Sequence, residues 1–417
     1  MFGKKHPEVL IAGAGPVGLF AALALTERGI PVQIIDKDWR RAGHSYALAL
    51  HANTLKLFEK LGLLEEILAH SYKVRTIGLY DGQKRRAEMR ITDLREDFSF
   101  LAVMQQNMLE GILEKALADR GVKVLWNHRL AHITSLDDHA HVVVDKLTKE
   151  SLGYIVARSE WVVGKSERFD VPFVIGADGL NSFTRRSLKI DFPIVGETQN
   201  FAVFEFKTDL DLQHEMKLVI GDDAMSVLWP LPGGLCRWSF ELPEYLASED
   251  SRMKDRFQVQ IGSGKYPVLA KDHLFELLET RAPWFRGNVD EIMWRLVVRF
   301  ERRLTEAYGR QHVWLAGDAA HLTGPAGIQS MNVGLFEADD LTATISKILR
   351  DGESDEMLQI YNDEWRSEWR YLIGVEGGLR SDATTDPWIG KNSKKLLSCI
   401  PATSEDLRAL ARQIGLN

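Results

Sequence analysis

The sequence has little cysteine. Cys236 and Cys399 are the two cysteines among 417 residues. A pair so widely separated provides neither a disulfide framework nor the ligand set of a zinc site. This usage predicts a reducing compartment, and we expect a cytoplasmic protein that binds no metal ion.

Concentrated basic charge and long apolar runs are also scarce. The chain carries 52 Lys and Arg against 59 Asp and Glu, a formal net charge of -7. Because nucleic acid binding needs a concentrated basic face, the sequence predicts no nucleic acid partner. Beyond the opening stretch, no segment approaches the ~20 apolar residues of a membrane helix, so no membrane partner is expected. With 45% apolar residues, the length predicts two or three domains.

One apolar run near the start, VLIAGAGPVGLFAALAL (9–25), follows Lys4, Lys5 and His6, as a secretory signal or a membrane anchor would. Its glycines favour another interpretation. A short apolar strand ends in a GxGxxG loop made of Gly13, Ala14, Gly15, Pro16, Val17 and Gly18. In a dinucleotide fold the first glycine allows a tight turn, the second lets a pyrophosphate approach, and the third lets a helix pack on the strand. The run therefore predicts a nucleotide loop that is neither secreted nor membrane-spanning.

A second apolar strand supports this interpretation. Val32–Ile35 ends at Asp36, about 20 residues after the glycines, where an acidic side chain is expected to hold a ribose hydroxyl. No second GxGxxG occurs, so the sequence offers one tight dinucleotide site. The absence of Cys-x-x-Cys excludes a flavoprotein of the disulfide-reductase type.

Two later motifs have the same form, an apolar strand that ends in an acid. Val171–Ile175 leads into Gly176-Ala177-Asp178-Gly179, and Val313–Ala316 leads into Gly317-Asp318. After the second motif come a glycine- and proline-containing loop and a long helical pattern from Val333 to about Leu349. Either motif alone is a common turn, but their co-occurrence with the nucleotide loop is specific.

In these three motifs the chain resembles the single-component FAD-dependent monooxygenases of the para-hydroxybenzoate hydroxylase type, from about Val9 to about Ile348. The resemblance implies an α/β fold with a Rossmann-like FAD-binding domain of mixed or parallel sheet (1–185 and 302–350, with a small β insertion at 72–104). A substrate-binding domain of antiparallel β-sheet (186–301) and a helical C-terminal segment (351–417) complete the expected organisation.

The resemblance also implies roles for individual residues. Asp36, followed by Lys37, is expected at the adenosine ribose, and Asp318 after Gly317 at the ribityl and phosphate region. Gln106 is expected to touch the cofactor, and Asp178 and Gly179 to serve both FAD and a transient NADPH or NADH. The loop expected along the isoalloxazine ring contains Pro325, Gly327, Ile328, Gln329, Ser330, Met331 and Asn332, and the pyrophosphate loop contains Gly13, Gly15, Pro16, Val17 and Gly18.

The chain departs from the family pattern at three places. Tyr46 stands where members commonly have an arginine near the flavin. Ile328 and Ser330 replace two glycines of the flavin loop, which limits the space in which a flavin could swing. Glu337 stands where aspartate is more usual. The loss of the arginine removes a fixed positive charge near the flavin.

Candidates for proton transfer and for the substrate chamber follow. His44, Tyr46 and His51 belong to a segment that passes the flavin in the family, and each is a candidate proton acceptor or a packing residue. Alternating strands between Ile190 and Glu301 predict one wall of a chamber. Its lining or its core would contain Phe204, Phe206, Trp229 and Trp238. Arg237 has two interpretations, a ligand of an anionic substrate or a solvated edge charge, and the second is favoured.

The resemblance implies that a pyridine nucleotide reduces FAD, that O2 forms a flavin C4a-hydroperoxide, and that one oxygen atom passes to an electron-rich aromatic or phenolic small molecule. Epoxidation or oxidative dearomatisation is the near alternative. A flavin halogenase lacks support because no Trp-x-Trp-x-Ile-Pro segment is present. An isoprenoid-type reductase and a non-catalytic binding protein of this fold stay open as rivals, and either a monomer or a homodimer is expected.

Overall fold

A computed structural model of the chain describes residues 7–41, 49–94, 97–152, 158–243, 258–261, 264–267 and 269–417. The described helices are α1 (Pro16–Glu27), α2 (Leu55–Lys60), α3 (Leu64–Ala69), α4 (Gln106–Asp119), α5 (Phe183–Ser187), α6 (Lys271–Arg281), α7 (Gln329–Asp351), α8 (Glu356–Leu372), α9 (Pro387–Leu397) and α10 (Ser404–Gln413).

The described strands are β1 (Val9–Ala12), β2 (Val32–Ile35), β3 (Ala49–Leu50), β4 (Tyr72–Val74), β5 (Thr76–Asp81), β6 (Lys84–Arg90), β7 (Leu101–Val103), β8 (His128–Ser135), β9 (Ala140–Leu152), β10 (Arg158–Val171), β11 (Phe173–Gly176), β12 (Gln199–Lys207), β13 (Glu215–Ile220), β14 (Met225–Pro230), β15 (Leu235–Glu241), β16 (Gln258–Ile261), β17 (Gly264–Pro267), β18 (Ile292–Phe300), β19 (Arg303–Leu304), β20 (Gly309–Arg310), β21 (Val313–Leu315) and β22 (His321–Leu322).

A parallel sheet organises the nucleotide motifs. Its strands hydrogen-bond in the order β2, β1, β11, β21 and β20, and only the pairing of β20 with β21 is antiparallel. Strands β1 and β11 are fully buried, which explains their continuous apolar sequences. Helix α1 packs against α4 and α7. Because parallel strands end at one edge, the segments that follow β2, β1, β11 and β21 meet there.

A second, larger sheet has the strand order β18, β12, β15, β14, β13, β5 and β6. Its face toward α6 carries alternate residues of β12 and β15, such as Phe204 and Trp238, in a separate hydrophobic cluster. The opposite face carries Val203 and Val227, which join the main core. The sequence placed residues 72–104 as an insertion in the FAD-binding domain, but β5 pairs with β13 in this larger sheet. We therefore propose that the β5–β6 hairpin belongs with the substrate-binding domain.

Within the described part of the chain, no helix combines the length and the apolar character needed to cross a bilayer.

A buried carboxylate joins the long helix α7 to its neighbours. Glu337 on α7 has no exposed surface and accepts hydrogen bonds from Tyr308 (2.8 Å) and from Trp369 on α8. Its other oxygen lies 2.7 Å from His321 Nε2, and the His321 ring stacks on Trp369. The backbone N–H of Gly317 also points to it. Glu337 therefore holds two helices and the Gly317-Asp318 turn together.

We expect the Glu337→Leu variant to lose at least about 3 kcal/mol of folding free energy, because the four buried groups that hydrogen-bond to Glu337 would lose their partner. The measurement is urea unfolding followed by circular dichroism. Glu364, an exposed residue of α8, supplies the control, since Glu364→Leu should change the free energy of unfolding by less than about 0.5 kcal/mol. Equal midpoints for the two variants would contradict the role of Glu337.

Candidate functional site

The three glycines of the first loop have different surroundings. Gly13 has φ +107°, and a Cβ there would lie 2.1 Å from Ala177 O. A Cβ on Gly18 would lie 2.0 Å from Gly13 O, whereas a Cβ on Gly15 would meet no atom within 4 Å. Gly13 and Gly18 therefore permit the tight packing of α1 on the strand ends, and Gly15 borders open space.

The open space lies at the amino end of α1. Pro16 occupies the first turn. Gly15 stands at the N-cap position but has no side chain to hydrogen-bond the first amides, and no acidic residue is in that turn. The free amides and the helix dipole make this end favourable for an anion. Val17 belongs to the same turn and is buried.

Asp36 lies beside this loop at the end of β2. Its carboxylate accepts hydrogen bonds from the Ala14 N–H (2.7 Å) and the Asp38 N–H (2.9 Å). Burial raises the pKa of Asp36, and the two backbone donors oppose that rise. Lys37 is exposed next to it. The acid is thus tied to the glycine loop.

The Gly317-Asp318 turn contacts α1 through Val17. A Cβ on Gly317 (φ +61°) would lie 3.0 Å from Val17 Cγ2, and one on Gly334 would lie 3.1 Å from the same atom. Asp318 is exposed, yet desolvation by nearby protein atoms raises the pKa of its carboxyl group. Among the described residues, no donor hydrogen-bonds to its carboxylate.

Asp178 lies at the same edge but bonds to protein. Its carboxylate accepts hydrogen bonds from the Ser182 hydroxyl (2.5 Å), the Phe183 N–H (2.8 Å), and both the N–H and the hydroxyl of Thr184. These bonds fix the start of α5. Gly179 follows in a left-handed conformation, φ +74°, three residues beyond the end of β11.

The loop before α7 (323–328, here the clamped loop) is held from several sides. Asn332 donates to the Ala49 and Ile328 carbonyls at 2.9 Å each and accepts from the His51 N–H at 2.8 Å. His51 Nε2 lies 2.9 Å from the Gly327 carbonyl oxygen. Ile328 adopts φ +49°, a left-handed conformation that costs a β-branched residue of the order of 1–3 kcal/mol. The hydrogen bonds offset that strain.

The C-terminal segment also holds the clamped loop and the start of α7. The Gly327 N–H donates to Ser398 O at 3.1 Å, and Gln329 donates to the Leu397 and Ile400 carbonyls. A Cβ on Gly327 would lie 2.6 Å from Ser398 O, so this position requires glycine. Within the loop region, Ser330 accepts from the Thr323 N–H and Met331 is buried.

The three candidate proton acceptors have different outcomes. His44 and Tyr46 lie outside the described residues. His51 is buried, and this burial lowers its pKa to about 3, although the Gly327 carbonyl opposes the shift. A base this weak holds almost no proton at neutral pH, which disfavours proton transfer through His51. The geometry instead places His51 among the residues that hold the clamped loop, through its contacts with Gly327 and Asn332.

A cavity of about 20 Å³ separates the clamped loop from the larger sheet. It holds about one water molecule, so an aromatic ring enters only when its walls move apart. Of the four aromatic residues considered from sequence, only Trp229 lies on this face; Phe204, Phe206 and Trp238 lie on the opposite face, toward α6. The lining residues are Val203, Val227, Trp229, Arg237, Ser239, Trp294, Val298, Phe300 and Pro325.

The interpretation of Arg237 as a solvated edge charge is wrong. Its side chain is 4% exposed and forms an ion pair with Glu205 at 2.6 Å. Burial lowers the pKa of Arg237, and Glu205 opposes this shift. The other Glu205 oxygen accepts from Gln105 at 2.6 Å. Sequence analysis missed Glu205, which could have been found as the one charged residue within the apolar stretch FAVFEF (201–206).

Gln106 opens α4 and donates to Glu110 at 2.9 Å. Glu110 is 3% exposed, and burial raises its pKa to about 7. Nearby carboxylates, Asp36 and Glu114, raise it further, while Gln106 and Arg41 oppose the rise. Sequence analysis did not identify Glu110, since a glutamate within a helix carries no local signal.

A family model described as an FAD binding domain matches residues 6–372. The chain belongs to this family. The expected FAD cofactor and the resemblance stated from the motifs are thereby confirmed. The glycine loop, the uncapped amino end of α1 and the exposed Asp318 carboxylate fit a dinucleotide of this kind, because they provide amide donors and a hydroxyl acceptor along one edge.

Named relatives cover most of this chain. The 6-methylpretetramide 4-monooxygenase of Streptomyces rimosus is 30% identical over 385 residues, which are 91% of this chain and 61% of the relative. The 6-hydroxy-3-succinoylpyridine 3-monooxygenase of Pseudomonas putida is 26% identical and is matched over 91% of its length. The chain spans about three fifths of the length of the first of these.

Solved structures confirm the predicted α/β fold. The p-nitrophenol 4-monooxygenase of Pseudomonas putida has a TM-score of 0.70 at 18% identity, with 98% of this chain and 92% of that chain covered. A ternary complex of aklavinone-11 hydroxylase with FAD and aklavinone has a TM-score of 0.67 at 18% identity and covers 89% and 68%.

The depressed pKa of His51 predicts a pH-dependent stability for this flavoprotein. The pKa is near 6.5 in the unfolded chain, so unfolding takes up a proton below that pH. The contribution to stability is complete above about pH 6.5 and is lost as the pH falls toward 3. Between pH 7 and pH 5 we expect the native protein to lose about 2 kcal/mol more than the His51→Gln variant.

Urea unfolding at the two pH values provides the comparison. Gln can donate to the Gly327 carbonyl as His51 does, so the variant tests titration more than the lost hydrogen bond. His132, which is exposed, provides a matched replacement: His132→Gln should leave the pH dependence unchanged. An equal pH dependence in the native protein and in His51→Gln would show that His51 is not held neutral by burial.

Proposed function

We propose that the protein is an FAD-dependent, NAD(P)H-consuming monooxygenase that transfers one oxygen atom of O2 to an electron-rich aromatic small molecule. The observation that supports it best is the largely apolar cavity between the clamped loop and the larger sheet. An oxygen-transferring flavin needs water kept from its reacting edge, and apolar walls such as Val203 and Trp229 provide that. When bound, FAD supplies the redox and oxygen chemistry.

The chain's own residues bind and orient the cofactor in this proposal. The amides around Gly15 hold the pyrophosphate, Asp36 accepts from the adenosine ribose, and Asp318 accepts from the ribityl chain. Pro325 and the amino end of α7 lie along the ring, where the amides stabilise negative charge. Gln106 contacts the cofactor from the start of α4.

In this proposal the transient reductant, NADPH or NADH, binds near Gly179. The four hydrogen bonds of Asp178 hold the turn that contains Gly179. Both cysteines are free and buried, which supports the cytoplasm as the proposed location. Epoxidation is the alternative outcome of the same oxygen transfer.

The names of the relatives leave the substrate class open. One relative is named for 3-(3-hydroxy-phenyl)propionate, an aromatic compound with a carboxylate side chain, and another for pentachlorophenol, a phenol without a carboxylate. A screen of phenols, quinones and polyketide-like aromatics is therefore the starting point for this protein.

The decisive measurement is stimulated NAD(P)H oxidation under 18O2, with products analysed by mass spectrometry. We expect one aromatic class to stimulate oxidation and its product to contain one 18O atom. Peroxide alone with every compound would indicate an NAD(P)H oxidase. Turnover that persists without oxygen would indicate a reductase.

Two glycine variants test the proposed pyrophosphate site. Gly15→Ala should keep the urea midpoint near that of the native protein, since its Cβ meets open space, but weaken FAD binding about tenfold or more by crowding the phosphate. Gly18→Ala should instead destabilise the fold by about 1–3 kcal/mol through overlap with Gly13 O. Binding is measured by fluorescence titration of FAD. Unchanged FAD affinity in Gly15→Ala would contradict the proposed site.

A further inference from the structure

A row of four side chains crosses the cavity face of the larger sheet. Trp294, Glu205, Arg237 and Trp229 are cross-strand neighbours on β18, β12, β15 and β14. The Arg237 guanidinium lies 4.7 Å from the centre of the Trp294 ring. The row therefore places one ion pair between two tryptophans at the wall of the cavity.

Stability does not account for a charge pair in this position. Each buried ion loses several kcal/mol of hydration, and apolar residues of similar size often give equal or greater stability. Glu205 and Arg237 are each 3% exposed, and the next row of the sheet holds Val203 and Val227. A pair kept here at the wall of a binding cavity points to recognition.

The pair presents polar groups without net charge. Arg237 donates to one Glu205 oxygen from Nε (3.0 Å) and from an NH2 group (2.6 Å), while Gln105 donates to the other oxygen. Among the described residues that line the cavity, Arg237 is the one ionised side chain. A ring carboxylate that entered would lose its hydration and find no uncompensated positive charge.

We propose that Glu205, by neutralising Arg237, makes this cavity selective for uncharged rings bearing hydroxyl or keto groups and excludes ring carboxylates. The inference rests on the proposed function in one respect: it takes the cavity as the substrate site of the monooxygenase. Glu205 is then a specificity-determining residue, and the charge of the pair rather than its shape selects the substrate class.

Two probes of nearly equal shape test the proposal at pH 7. The compounds 4-hydroxyacetophenone and 4-hydroxybenzoate differ by a methyl group in place of a carboxylate oxygen. Binding to the FAD-loaded protein is measured by isothermal titration calorimetry without NAD(P)H. We expect the native protein to bind the ketone at least about tenfold more tightly than the acid.

Removing the negative charge should reverse that preference. In Glu205→Gln the Arg237 charge is uncompensated, and we expect the acid to gain about tenfold or more in affinity relative to the ketone. Because a buried unpaired arginine endangers folding, a second variant keeps the pair intact. Gln105→Lys adds a positive charge beside Glu205 at a half-buried position, and it should shift the ratio in the same direction.

Glu215 supplies a matched control on the same sheet. It is 6% exposed, is ion-paired with Arg85 and Lys217, and does not line the cavity. Glu215→Gln should leave the ratio of the two affinities unchanged. Equal binding of both probes by the native protein, binding of neither, or an unchanged ratio in every folded cavity variant would overturn the inference.

The binding results separate this inference from the proposed function. If 18O enters neutral phenols while the native protein binds both probes equally, the specificity role of Glu205 fails and the monooxygenase stands. If the ketone preference and its reversal are observed but no compound incorporates oxygen, the monooxygenase fails and the charge selectivity of the cavity stands.

Discussion

The close approach of α1 to the strand ends is the constraint on which the site depends. Gly13 and Gly18 lack side chains where any Cβ would overlap the Ala177 or Gly13 carbonyl. Val17, one residue earlier on the helix, then contacts Gly317 and Gly334. Through these contacts the first turn of α1, the Gly-Asp turn and α7 share one small region. This packing positions the amides around Gly15 and the turn that carries Asp318, whereas Asp36 is also held by hydrogen bonds of its own from the Ala14 and Asp38 N–H groups.

Glu337 and Asn332 extend this constraint along α7 in different ways. Glu337 binds the Gly317 N–H and three side chains from neighbouring elements, so it fixes the helix relative to the turn that carries Asp318. Asn332, about one turn from the amino end, fixes the clamped loop and keeps Ile328 in a left-handed conformation. A strained residue persists when its surroundings determine it more strongly than its own preference does. The clamped loop and the Gly317-Asp318 turn are therefore both held by buried side chains of α7, the amide of Asn332 and the carboxylate of Glu337.

Local patterns predicted the fold class and the three motifs because glycine spacing and apolar runs are properties of adjacent residues. The faces of the larger sheet were not predictable in that way. Successive residues of a strand point to opposite faces, so Phe204 and Glu205 lie on different sides, and the register of distant strands decides which side borders the cavity. The same limit applies to β5, whose partner β13 lies far along the chain. Arg237 was misinterpreted because its partner Glu205 is 32 residues away.

Gln105 and Gln106 show how the two halves of the site are joined. Gln105 caps α4 and donates to Glu205 at the cavity, whereas Gln106, the first residue of that helix, donates to Glu110 beside Arg41 and Asp36. Adjacent residues thus reach the proposed substrate side, through Glu205, and the proposed cofactor side, through Glu110. A shift of the start of α4 would change both hydrogen bonds together, because a helix end moves as a unit. The hydrogen bonds to Glu205 and to Glu110 consequently both depend on one short piece of backbone between β7 and α4.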